Sequence, residues 1–134
     1  MHRSRLTALV IDCKTSDLKD ATRFWSAALG RAPRVDPDSS DERYVHLDTS
    51  SDELCLLLQA VDHPSRVHLD IETDDVEAEA TRLEALGARR VEKVHSWWVM
   101  EAPTGHRFCV VRPQRAGLAE DGTVWPSSGD VVES

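Results

Sequence analysis

The chain of 134 residues carries an internal duplication. "DATRFWSAALG" at 20–30 is matched by "EATRLEALG" at 79–87, and "ELCLLLQ" at 53–59 by "HRFCVVR" at 106–112. Around each pair the order is the same: a strand, a helix, then further short strands. A half of this size cannot bury a sheet face alone, so the two halves must pack into one unit. The expectation is an α+β chain of two βαβββ modules, about 6–61 and 66–113, forming one domain over residues 1–113.

The elements follow from periodicity. "LTALVIDCK" (6–14) is rich in aliphatic and β-branched residues and reads as a strand. In the next segment Leu18, Ala21, Phe24, Trp25, Ala28 and Leu29 recur at helical spacing, with Asp17 placed as N-cap and Gly30 as C-cap. "PRVDPDSSDE" is a turn-rich connector, and "RYVHLDT" and "LCLLLQAV" form a hairpin. "RVHLDIET" alternates as a strand, and Val76, Ala80, Leu83 and Leu86 then mark one face of a helix capped by Gly87. "RRVEKV", "SWWVMEA" and "RFCVVRP" complete the second module, the last two joined by the Pro–Gly turn "PTGH". After Pro113 the pattern stops, and 114–134 reads as a C-terminal tail that Trp125 could pin.

Charge and cysteine usage remove several function classes. Sixteen basic against twenty-four acidic side chains give a net charge of −8, which disfavours nucleic acid and anionic membrane because phosphate binding needs a basic face. The apolar run near the N-terminus is broken at Asp12, so it does not read as a signal peptide. No stretch approaches the roughly 20 apolar residues that span a bilayer. Cys13, Cys55 and Cys109 are odd in number and far apart, which argues against a disulfide framework and for a reducing, cytoplasmic setting.

Three stretches, "DLKDATRFWSAALGR", "VHLDIETDDVEAEATRLEALGA" and "APTGHRFCVVRP", resemble the vicinal oxygen chelate superfamily, in particular its small glyoxalase-like (glyoxalase/bleomycin-resistance/dioxygenase) domains. The resemblance spans about residues 6–113. It implies paired βαβββ modules around a cleft and, in metal-dependent members, an ion held by residues of the first and fourth strands of each module. Counted back from Asp17 and Asp75, the first-strand positions fall on Val10 and His68. The fourth-strand positions fall on Cys109 and, by the repeat, on Cys55 within two residues. Only His68 matches the metal-binding pattern. The family's "DPxGN" turn is "APTGH" here, with Ala102 and His106 in place of the aspartate and asparagine.

Several readings of these residues stand side by side. Val10 cannot donate, so the usual divalent ion is not expected. Cys55, His68 and Cys109 could instead form a Cys₂His zinc site, or the cysteines could simply pack as small hydrophobes. Asp12 and Asp70 share strand faces with Val10 and His68. They would either hold His68 as a general acid or base, or pair with Arg or Lys across the modules. Of the adjacent Trp97 and Trp98, one should face the cleft or core; Trp98 is the candidate to stack on a flat or cationic ligand.

The expected ligand-binding cleft is therefore Asp12, Cys55, His68, Asp70, Trp98 and Cys109, without a metal. It would take a small organic ligand in a protein that pairs as a homodimer through apolar residues such as Phe24 and Trp25. An enzyme (lyase, isomerase or dioxygenase) working through His68 is the alternative, and a domain whose cleft is filled by its own side chains is a third.

Overall fold

A computed structural model describes residues 1–34 and 43–126. Most of the expected connector "PRVDPDSSDE", and the end of the expected tail, lie outside the described residues. The chain divides into two compact units, one of Ala8–His68 and one that joins Met1–Thr7 to the chain from Leu69 onward. The first seven residues thus belong with the C-terminal unit, and Arg66–His68, the start of the second repeat, belong with the N-terminal one.

In the N-terminal unit, β1 (His2–Lys14, of which 8–14 lie here) leads through α1 (Lys19–Leu29) to β2 (Pro33–Arg34), β3 (Tyr44–Leu47) and β4 (Cys55–Val61). β4 runs parallel to β1, from Ala8 against Cys55 to Lys14 against Val61. β3 pairs antiparallel with β4, and β2 with β3. A parallel pair needs a crossover, and α1 lies within it. The helix covers one face, where Cys13, Leu18 and Leu58 are buried with Ile11, Ala21, Trp25, Val45 and Ala60 packed around them. Gly30 ends α1 at φ 67°, as expected. Its start differs: Leu18 is the N-cap, and Asp17 accepts the Lys19 N–H instead. Burial of Leu18 sets the helix start one residue further on than the acid suggests.

The C-terminal unit repeats the plan. β5 (Arg66–Thr73) is followed by α2 (Val76–Ala85), β6 (Arg89–Val94), β7 (Trp97–Glu101) and β8 (Arg107–Val111). β8 runs parallel to β5, β7 antiparallel to β8, and β6 antiparallel to β7. Here the N-cap is the expected type: the Asp75 carboxylate accepts the Ala78 N–H at 3.0 Å. Ala80 and Leu83 of α2 meet Met100 and Val110 in the core.

Beyond Pro113 the described residues, to 126, include two further elements. α3 (Leu118–Asp121) leads to β9 (Thr123–Trp125), which pairs antiparallel with the start of β1, His2 against Trp125. The Trp125 indole N–H donates to Ser4 Oγ at 2.9 Å, and the Arg82 guanidinium lies 3.7 Å from the Trp125 ring centroid. Beneath them Glu79 of α2 is fully buried. Arg82 binds both its oxygens, at 2.7 and 2.8 Å, and His2 Nε2 lies 2.8 Å from Oε1. Burial raises the Glu79 pKa, but the hydrogen bonds of Arg82, Ser4 and His2 outweigh it and the net direction is down.

Candidate functional site

Strand alternation sends the residues that α1 does not cover to the opposite face of the N-terminal unit. On β1 these are Val10 and Asp12; their register partners on β4 are Leu57 and Gln59, and on β3 His46 and Tyr44 lie opposite those two. Gln59 Nε2 donates to the Tyr44 hydroxyl at 3.0 Å. The face thus combines an apolar strip, Val10 and Leu57, with a polar end at Asp12, Gln59 and Tyr44.

His68, the last residue of this unit, joins that polar end. Its Nδ1 lies 2.8 Å from Asp12 Oδ2. An ionised carboxylate only accepts, so Nδ1 carries the proton and Nε2 is the basic nitrogen of the neutral ring. Arg66, two residues earlier on β5, places Nε 3.7 Å from the same Oδ2. Asp12 is 2 % exposed, and its other oxygen, Oδ1, has no hydrogen-bond partner among the described residues. Next to it the Cys13 thiol is pushed up, by burial first and by the Asp12 charge second. Cys13 is therefore a protonated thiol packed under α1, its Sγ 3.5 Å from the Ile11 carbonyl.

The remaining expected residues separate. In the C-terminal unit Asp70 and Cys109 are register partners on β5 and β8. Trp98 is not on their face: it packs with the α2 core beside Val110 and Met100. Its indole N–H donates to Glu77 Oε1 at 2.8 Å, and Arg90 lies 4.9 Å from its ring. Hydrogen bonds from Arg90 and then Trp98 hold Glu77 down at about 2. Trp98 thus fastens α2 to the sheet, on the face opposite Asp70 and Cys109. The Asp70 face carries Trp97, Val99 and Glu72 instead, by alternation along β7 and β5.

The register also corrects Cys55. Asp12 lies against Gln59 while its repeat equivalent, Asp70, lies against Cys109, so Gln59 is the counterpart of Cys109. Cys55 sits against Ala8, four residues from Gln59 or about 13 Å along the strand. A zinc ion with bonds of about 2.0–2.3 Å cannot span from the Asp12–His68 level to Cys55. At the family's metal positions within this unit stand Val10, Gln59 and His68, of which only the imidazole is an ordinary ligand of a divalent ion.

Sequence reasoning missed Gln59, Tyr44 and Arg66. For Arg66 the signal was present: it stands two residues before His68 on an alternating strand.

The family model of the glyoxalase-like domain matches residues 8–111. The chain belongs to this family, a vicinal oxygen chelate fold. No curated protein matches the sequence. Among solved structures, a hypothetical protein of Bacillus halodurans aligns with TM-score 0.60 at 14% identity, over 85% of this chain and 98% of its own. A Legionella pneumophila structure titled NAD-dependent benzaldehyde dehydrogenase gives 0.56 at 12%, over 79% and 98%. A Streptomyces coelicolor methylmalonyl-CoA epimerase in complex with 2-nitronate-propionyl-CoA gives 0.52 at 18%, over 84% and 97%. At these identities the likeness establishes the fold alone. Among the described residues no helix is long and apolar enough to cross a membrane.

Proposed function

We propose that the chain binds a small organic ligand on the helix-free face of its N-terminal unit, without the family's usual divalent metal, with Asp12 and His68 as the polar anchor. The observation that supports this reading is a buried aspartate turned onto a histidine at the edge of an apolar strip. Val10 and Leu57 remove water from apolar atoms of the ligand. Gln59 and Tyr44 offer orienting hydrogen bonds, and His68 offers a basic nitrogen whose tautomer is set by its neighbour. The charge complementarity expected for a cationic ligand rests on Asp12; the stacking tryptophan does not lie in the α2-covered core's opposite face and plays no part. We take the setting to be cytoplasmic, in keeping with three cysteines outside any disulfide, and the assembly to be a homodimer.

The test is amide NMR with small cationic aromatic amines as probes. Shift changes centred on Val10, Asp12, Tyr44, Leu57 and His68, weakened at least tenfold in Asp12→Ala, support the reading. Changes confined elsewhere, or none, refute it.

A second reading adds chemistry. The Asp12–His68 pair has the arrangement of a general base held by a carboxylate, so the site would move a proton on an acidic O–H, N–H or C–H of its ligand. Under that reading His68→Gln abolishes turnover while weakening binding much less than Asp12→Ala does. An epimerase among the fold's neighbours makes this reading worth assaying.

A further inference from the structure

Among the described residues three carboxylates are almost wholly buried, Asp12, Glu72 and Glu79, and two of them are fully satisfied. Glu72 takes Arg5 Nε on Oε1, and the Gln114 and Arg115 N–H groups on Oε2. Glu79 takes Arg82 on both oxygens and has His2 at Oε1. A carboxylate kept for stability spreads its donors in this way, because an unpaired buried oxygen is costly. Asp12 does the opposite. His68 Nδ1 and Arg66 Nε approach one oxygen, Oδ2, while Oδ1 has no partner among the described residues.

Both donors come from one strand, β5, two residues apart and on the same side. We propose that Arg66 is a positioning residue: it holds the Asp12 carboxylate turned toward His68, with Oδ2 on Nδ1, and so fixes the imidazole as the Nδ1–H tautomer. The inference deepens the proposed site and rests on that reading for its relevance, but its test reads the ring itself and needs no ligand. Arg66 does not touch the ligand in this account. Its guanidinium, 45% exposed, supplies charge at the rim of the pair, whose imidazole is 11% exposed.

Long-range ¹H–¹⁵N correlation of the His68 side chain tests this at about pH 8, where an ordinary imidazole is neutral. Wild type is expected to show one dominant tautomer with the proton on Nδ1. Asp12→Asn and Arg66→Gln are each expected to raise the Nε2–H fraction about tenfold, and Arg66→Lys, which keeps the charge, to restore most of the wild-type pattern. Amide spectra of the same samples verify folding. An unchanged tautomer in Arg66→Gln would overturn the role of Arg66. A wild-type ring protonated mainly on Nε2 would overturn the inference as a whole. Loss of ligand binding with a normal tautomer response would instead count against the proposed function alone.

Discussion

Glu72 in one unit and Asp12 in the other are both buried carboxylates on the helix-free side of a module's first strand, and their surroundings differ in kind. Glu72 is enclosed by Arg5, Gln114 and Arg115, which belong to the terminal segments 1–7 and 114–125. Those segments lie outside the 8–111 span of the family match. They close the C-terminal unit around its carboxylate, as they do around Glu79. Asp12 has one close donor, His68, one distant one, Arg66, and an oxygen with neither. One plan, used twice, has become a clasp in one copy and a candidate site in the other.

Breaking the clasp is expected to have the largest effect. Glu79→Ala would leave Arg82 and His2 facing an apolar gap and should cost about 3–5 kcal/mol by urea denaturation. Acid should act on the same groups. Glu72 and Glu79 both have pKa values lowered from 4.5, with burial opposing and hydrogen bonding prevailing. Their stabilisation is therefore complete above the unfolded carboxylate range and is lost as pH falls from about 4.5 through the lower folded values. Thermal melts between pH 6 and about 3 should show this loss, and Glu79→Gln should flatten the curve.

Smaller effects sharpen the contrast away from the carboxylates. Trp98→Phe keeps the ring but loses the bond to Glu77 and should cost about 1 kcal/mol; an effect on ligand binding with no loss of stability would return Trp98 to the site. Cys55→Ser should change neither ligand response nor zinc uptake, read by metal analysis of the purified protein. A Cys55-dependent stoichiometric zinc would contradict the register argument.

The sequence was legible where periodicity is unambiguous. "RVHLDIET" alternates, and it is β5 residue for residue. "LCLLLQAV" is apolar at nearly every position, so nothing in it reveals which residue lies against Asp12. The counterpart of Cys109 was therefore set at Cys55 when the register puts it at Gln59. Adjacent tryptophans on a strand guarantee one per face but not which, and the α2 core decided it for Trp98. β9 has only three residues and pairs with a strand more than a hundred positions earlier; its signal lies in that distant partner. The Asp12–His68 proximity followed from alternation plus the repeat, while the role of Arg66 needed coordinates.

The most direct test of the account compares Asp12→Asn and Glu72→Gln side by side in urea denaturation. Glu72→Gln is expected to lose about 3 kcal/mol, whereas Asp12→Asn, which removes a buried charge held by one short hydrogen bond, is expected to lose no more than about 1 kcal/mol. A loss in Asp12→Asn as large as that in Glu72→Gln would show that Asp12 is another structural carboxylate, and the distinction between the two modules would fall.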